Sequence, residues 1–288
     1  MALSVLKDIR KVYAGLNPDG IRGAAWQKVS VGLAASNPET LRRMEAFLAP
    51  SAAGTDQRAQ ALSVLKPAED NFSRFDIVLC EPGIPVPRNG YTFESEREES
   101  LPNLIVTENP RIETALGRLF PMLRPAVSNR IVGRIARENA LFSLVTALPN
   151  VVPSMLDLPW AIGEFATDTA FLTMNQIRMA LTLASAYGRP VSFHDQKVEI
   201  AGIVAGAFGW RAIARELVGK IPLGGGLIPK AAVAFAGTYV VGLSLDKINR
   251  TGSGLTKQER RDAYADAFIK GKEAAQELAP SLIGSKTE

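Results

Sequence analysis

One turn has the spacing of a phosphate-binding loop but lacks its chemistry. Such a loop uses glycines that let backbone amides approach a phosphate, a lysine that pairs with its charge, and a Ser or Thr hydroxyl for magnesium. In residues 29–41, VSVGLAASNPETL, Gly32 is followed after four residues by Asn-Pro-Glu-Thr. Pro38 stands at the lysine position, and Glu39 places a carboxylate where an anion would bind. The pattern predicts a strand, a degraded nucleotide loop and a helix. The remnants of the loop are Gly32, Asn37 and Thr40.

Two further GTPase signatures are degraded in the same way. The Asp-x-x-Gly that reaches the metal ion and γ-phosphate is reduced to Cys80-Glu81-Pro82-Gly83, after a predicted strand in residues 74–83. Only Gly83 remains of that signature. A third predicted strand, residues 101–110, ends in Thr-Glu-Asn-Pro, where Asn-Lys-x-Asp would read guanine. The order of these three motifs is consistent with a G domain that has lost nucleotide binding, and a generic α/β layer is the alternative. Hydrolysis of GTP or ATP is not expected.

The chain has too few cysteine and histidine side chains for several kinds of catalytic or metal site. The chain has one cysteine, Cys80, and one histidine, His194, so neither an intrachain disulfide nor a Cys/His zinc site can form. Cys80, at a strand end, is predicted to be a small buried hydrophobe, and His194 a polar residue in the first turn of a helix. We therefore expect a protein that binds rather than catalyses, with no metal and no cofactor.

Composition and length are those of a folded, mildly basic protein. The 288 residues suffice for one large domain or two small ones, with 47% hydrophobic and 22% charged residues. The net charge of +4 does not indicate nucleic-acid binding. Charged residues interrupt the first dozen positions, so we expect no secretory signal and a cytoplasmic protein.

The order of the predicted elements indicates an α+β protein in three parts. A small degenerate α/β domain, similar to a G domain, occupies residues 1–110, and residues 85–100 within it read as a solvated acidic loop. A larger helical domain occupies residues 111–250. A C-terminal amphipathic helix occupies residues 251–288, where Thr256 and Glu259 have the spacing of a capping box.

A basic helix face precedes an uncharged segment. Residues 111–139 hold six arginines against two glutamates, and residues 140–156 carry no charge. Arg130, Arg134 and Arg137 are spaced i, i+4, i+7 and so share one face of a helix. Such a face is typical of a membrane-surface element or a partner surface, and a solvated face on a soluble bundle is the alternative.

Two apolar stretches within predicted helices stop short of the about 20 residues that span a bilayer. They occupy residues 200–210 and 231–245 and are rich in small residues, including a Gly202/Gly206 pair. Gly224, Gly225 and Gly226 between them predict a tight turn, and hence a helical hairpin. The hairpin could insert conditionally into a bilayer or pack in a soluble core.

Residues 130–270 resemble the bacterial domain of unknown function that often follows Era-like GTPase domains and that occurs in YcjF-type inner-membrane proteins. The most specific element of the resemblance is Ile-Pro-Leu-Gly-Gly-Gly, residues 221–226, between two small-residue helices. The resemblance implies membrane association and a link to GTPases. It carries over no catalytic residue.

Three functions are compatible with these observations. The first is a non-enzymatic protein that associates with an anionic membrane surface or a GTPase, cytoplasmic and peripheral to or partly inserted in the inner membrane. The second is a nucleotide-binding switch with a non-standard loop. The third is a soluble helical scaffold for a protein partner. Self-association through small-residue helix faces fits each of them, and a nucleic-acid partner is not expected.

Overall fold

The computed structural model confirms the α+β class, with a small sheet in the N-terminal part and a mostly helical C-terminal part. It divides into two compact units. The sheet unit contains Asp19–Arg130 and Ala184–Val191, and the helical unit is built mainly from Ile131–Leu183 and the chain from Ser192 onward. The residues that the structure describes are 16–69, 71–94, 100–147, 168–192, 194–203 and 227–284.

Four parallel strands form the sheet: β1 (Val31–Ala34), β2 (Leu65–Pro67), β3 (Ile77–Cys80) and β4 (Gly90–Thr92). Their order is β2-β1-β3-β4. All residues of the two central strands are buried, because a parallel sheet is covered on both faces. In the register of the central pair, Ala34 lies opposite Cys80. This pairing places the residues that follow β1 and β3 side by side.

Five of the described helices belong to the sheet unit, and a sixth connects it to the helical unit. In the sheet unit they are α1 (Pro18–Ala25), α2 (Pro38–Leu48), α3 (Thr55–Val64), α4 (Leu101–Glu108) and α5 (Glu113–Leu119). Helix α6 (Arg124–Val145) passes from the sheet unit into the helical unit. Further helices are α7 (Asp168–Ala186), α8 (Leu227–Thr251) and α9 (Lys257–Gly284), and residues 197–203 are also helical.

The prediction of a third strand at residues 101–110 is wrong, because Leu101–Glu108 form helix α4. Its buried residues include Leu101 and Ile105, one helical turn apart. A short apolar run does not by itself distinguish a buried strand from a buried helix. The Thr-Glu-Asn-Pro run therefore does not follow a strand of the sheet. The predicted loop at 85–100 contains strand β4.

Helices α8 and α9 pack through small residues. Two clusters of buried side chains lie between them, one around Phe235 and Ala275 and the other around Val240 and Tyr264. At Gly271 the two helices approach closely, since a Cβ there would lie 2.8 Å from the backbone oxygen of Ala232. The small residues of this pair thus serve close helix packing.

The start of α9 is the predicted capping box. The backbone N–H of Thr256 donates to Glu259 Oε2 at 2.7 Å, and the N–H of Glu259 donates to the Thr256 hydroxyl at 3.2 Å. Lys247 from α8 also donates to Glu259, at 2.7 Å. The Lys247 hydrogen bond and then those of Thr256 lower the pKa of Glu259 to about 2.

Helix α8 runs 25 residues, Leu227–Thr251, and extends beyond the apolar stretch 231–245 at both ends. Near its C-terminal end, Arg250 Nε donates to Asp246 Oδ2 at 2.9 Å. Among the described helices it alone has the length and composition to cross a membrane, with a mean hydropathy of 1.4 over a window that is 50% buried. A buried helix of a soluble core passes the same test.

Candidate functional site

The predicted strand, loop and helix at residues 29–41 are present as β1, a three-residue connection and α2. Asn37 caps α2: its side-chain oxygen accepts from the backbone N–H of Glu39 at 3.0 Å and of Thr40 at 2.9 Å. Pro38 occupies the first turn, where a missing N–H costs nothing. The sequence thus builds an ordinary capped helix at the place where a phosphate loop would cradle a nucleotide.

The carboxylate of Glu81 lies in this loop. Glu81 follows β3, and its backbone N–H donates to Ala34 O at 2.8 Å, which continues the pairing of β1 with β3. Its Oε2 accepts from the N–H and the hydroxyl of Ser36, at 2.5 and 2.6 Å. Its Oε1 accepts from Asn37 Nδ2 at 3.2 Å and from Thr40 Oγ1 at 3.0 Å. Four donors from the loop therefore converge on one carboxylate.

This arrangement favours the charged form of Glu81. The hydrogen bond from the Ser36 hydroxyl, then that from its backbone N–H, lower the pKa of the Glu81 carboxyl. The N-terminus of α2 adds partial positive charge, which stabilises an anion. An anion supplied by the chain itself therefore lies at the N-terminus of α2.

The two predicted glycines have other roles. A Cβ on Gly32, within β1, would lie 2.7 Å from the ring of Phe75, so this glycine makes room for a neighbouring side chain. Gly83 has a φ of 95°, and Ile84 N–H bonds Glu81 O at 3.0 Å. With Pro82 before it, this is the pattern of a type II turn. Gly83 thus turns the chain just after Glu81.

The structure brings Asn37 and Thr40 together and leaves Gly32 in the strand. Sequence reasoning missed Ser36 and the role of Glu81 as the group they surround. The sequence contained one indication of this contact, because Glu81 directly follows a strand predicted to lie in the same sheet as β1. Only the pairing of β1 with β3 makes those strand ends adjacent.

The predicted basic face carries ion pairs along helix α6. Arg130 Nε lies 2.8 Å from Glu113 Oε2, and Arg134 Nη1 lies 3.8 Å from Glu138 Oε1. Arg137 lies 3.5 Å from Glu277 on α9, with 61% of its side chain exposed. Exposed ion pairs are worth little, about 0–1 kcal/mol. Arg137 therefore keeps an accessible charge.

Cys80 is buried within β3, as predicted, and burial raises the pKa of its thiol. Across the described ranges, no three His, Cys, Asp or Glu side chains come together as a metal site. The predicted hairpin turn, Gly224, Gly225 and Gly226, lies outside the described residues, as does Gly206.

Comparison with known proteins gives no relative: no family model, curated protein or solved structure matches this chain.

Proposed function

We propose that this chain is a non-enzymatic binding protein in which the nucleotide loop of a G-domain-like sheet unit is closed by its own Glu81. The observation that carries the proposal is the convergence of Ser36, Asn37 and Thr40 donors on the Glu81 carboxylate. These donors are the groups that a nucleotide phosphate would need. The chain has Pro38 where a phosphate loop has its lysine.

The charges oppose nucleotide binding at this loop. A phosphate entering it would meet the Glu81 carboxylate, and two like charges 4 Å apart repel by about 1 kcal/mol in water and about 4 kcal/mol near a protein surface. Moving Glu81 away would break four hydrogen bonds at once. No lysine would offset either cost, so the geometry favours a loop that stays closed.

Calorimetric titration of the full chain with GTP, GDP and ATP in the presence of magnesium tests this proposal. We expect no saturable heat at millimolar nucleotide. The Ser36→Ala variant serves as the matched comparison, since it removes one loop donor without changing charge. Saturable binding by the wild type that is weakened by Ser36→Ala would overturn the proposal and favour a nucleotide switch with a non-standard loop.

Membrane association is the second candidate, and helix α8 favours it. Its length and hydropathy meet the requirement for crossing a bilayer, and Arg134 and Arg137 provide positive charge on a neighbouring helix. However, Thr238 in the middle of α8 is buried and accepts hydrogen bonds from Asn139 and Gln176. These polar contacts support an α8 that stays within a helical bundle rather than one that lies alone in lipid.

Sedimentation with anionic vesicles separates these possibilities. If the membrane candidate holds, the protein pellets with phosphatidylglycerol vesicles at low salt, and Arg137→Gln weakens this more than Arg261→Gln, an exposed control on α9. Recovery entirely in the supernatant would eliminate the membrane candidate. A protein partner, such as a GTPase, would then be the remaining target of the binding protein.

A further inference from the structure

Arg118 of α5 is a buried cation held by neutral groups. Its Nε donates to Ala25 O at 2.6 Å, and its Nη1 donates to Gln60 Oε1 at 3.0 Å. The ring of Trp26 stacks over the guanidinium, with 4.1 Å between the guanidinium carbon and the ring centroid. Trp26 itself is 66% exposed, an unusual position for a large aromatic side chain. A fixed arginine thus lies directly behind an exposed ring.

Arg124, at the start of α6, is held in the same manner. Its Nε donates to Gly117 O at 3.0 Å, its Nη2 donates to Gln57 Oε1 at 3.1 Å, and the ring of Tyr187 lies 5.3 Å from its guanidinium carbon. Gln57 and Gln60 are one turn apart on α3, so side chains bonded to them are neighbours. The two guanidinium groups therefore belong to one surface of the sheet unit.

No carboxylate of the described chain neutralises this pair. Burial alone lowers the pKa of Arg118, and burial is the largest cause of the lowered pKa of Arg124, which the charge of Tyr187 partly offsets; no described carboxylate acts on either. By contrast, the half-buried Arg130 and Arg178 pair with Glu113 and Glu138. Desolvated cations are normally paired. The carbonyls at the ends of α1 and α5 offset part of this charge, because helix C-termini are partly negative.

Both guanidinium groups keep donors that no described residue accepts. Each guanidinium has five N–H groups, and the bonds above engage only two nitrogens of each. Arg118 Nη2 and Arg124 Nη1 make no hydrogen bond to a described residue. Two ordered cations, the buried Arg118 and the half-buried Arg124, thus keep nitrogens for a further acceptor.

We propose that Arg118 and Arg124, beside the exposed ring of Trp26, form a binding site for a phosphate monoester. The guanidinium fork matches phosphate oxygens in geometry, and two unpaired cations match a group that carries close to two negative charges at neutral pH. The ordering of both side chains by protein groups lowers the cost of binding. This site lies apart from the Ser36–Glu81 loop and does not depend on it.

The test uses the full chain with Trp160 and Trp210 changed to Phe, so that Trp26 is the only tryptophan and its fluorescence can be followed alone. Inorganic phosphate is titrated in a low-salt chloride buffer. A second arm uses phosphatidylcholine vesicles with and without phosphatidic acid, whose headgroup is a phosphate monoester. We expect a saturable change in Trp26 emission in at least one arm. The arm that responds identifies a soluble or a lipid source of the phosphate.

Arg124→Gln should weaken this binding by about tenfold or more, as expected from the loss of a charge-assisted contact. Arg111→Gln, an exposed arginine of the same unit, makes the same change of charge and should leave binding within about twofold. The absence of any saturable change in the folded parent chain overturns the proposal. An equal loss in Arg111→Gln also overturns it, since the effect would then be one of net charge.

The two proposals fail separately. Nucleotides carry phosphates, so the nucleotide titration is repeated with Arg124→Gln. If Arg124→Gln abolishes nucleotide binding and Ser36→Ala does not affect it, the nucleotide binds at the arginine surface and the proposal of a closed loop holds. If Ser36→Ala weakens the binding and Arg124→Gln does not affect it, the nucleotide binds in the loop.

Discussion

Ser36 donates both its backbone N–H and its hydroxyl to the same oxygen of Glu81, at 2.5 and 2.6 Å. The two residues are 45 positions apart in the chain and meet because β1 and β3 are neighbouring parallel strands. This contact joins the ends of the two central strands and fills the N-terminus of α2 with an internal anion. It is therefore a structural element of the sheet unit, and in the function proposed above it is also the contact that closes the loop.

Glu81→Gln should destabilise the sheet unit, because an amide offers one acceptor oxygen and turns an N–H₂ toward groups that already donate. The lowered pKa of Glu81 gives the pH dependence: its contribution is complete above the ordinary carboxyl value of 4.5 and is lost as pH falls through the lower folded value. We expect a lower thermal midpoint at neutral pH and a smaller difference from wild type in acid. Glu39→Gln is the control. A constant difference at every pH would contradict this explanation.

Thr256→Ala should cost about 1 kcal/mol of stability, the usual value for loss of an N-cap hydroxyl. The hydroxyl accepts from the backbone of Glu259, and the alanine leaves that N–H without its capping acceptor. Urea unfolding followed by circular dichroism measures the loss. Lys257→Ala, in the first turn but outside the capping box, should change stability by less than half as much. Equal effects would show that the box contributes nothing specific.

Gly271→Ala and Gly237→Ala should have opposite effects. A Cβ at Gly271 would lie 2.8 Å from a backbone oxygen of α8, so alanine forces the helices apart at about 1–3 kcal/mol. A Cβ at Gly237 meets nothing within 4 Å, and alanine there should stabilise α8 by up to about 1 kcal/mol. Thermal unfolding compares the two. The same sign for both variants would contradict the close packing of α8 and α9.

Thr238→Val should destabilise the helical unit by about 1–3 kcal/mol, the usual cost of leaving a buried donor unsatisfied. The side chain of Asn139 donates to this hydroxyl at 2.7 Å and is fully buried. Thr251→Val, at the exposed end of α8, is the matched control. If Thr238→Val were neutral in denaturant unfolding, the polar contact would not hold α8 in the bundle.

The sequence alone predicts those elements whose pattern lies within a few neighbouring residues. The strand, loop and helix around Asn37 follow from a β-rich run and a capped helix, and the box at Thr256 follows from its spacing. Strands β2 and β4 were missed because three-residue edge strands carry almost no pattern. Helix α4 was mistaken for a strand because eight residues with little periodicity fit either.

Contacts between distant residues could not be predicted from spacing. The ion pair of Arg137 with Glu277 requires α6 and α9 to be neighbours, which no local pattern indicates. Likewise, Arg118 and Arg124 read as two members of a basic run. Their burial against helix ends and aromatic rings separates them physically from the exposed arginines of the same run.

The tethering of Glu81 has a consequence for competition. The Glu81 carboxylate is fixed at the end of the adjacent strand, so its effective concentration at the loop donors is set by the fold. For a rigid, oriented group, this effective concentration is far above the concentration of any free solute. A dissolved anion has to compete with a ligand that never diffuses away. The state of this loop should therefore be nearly independent of the phosphate content of its surroundings.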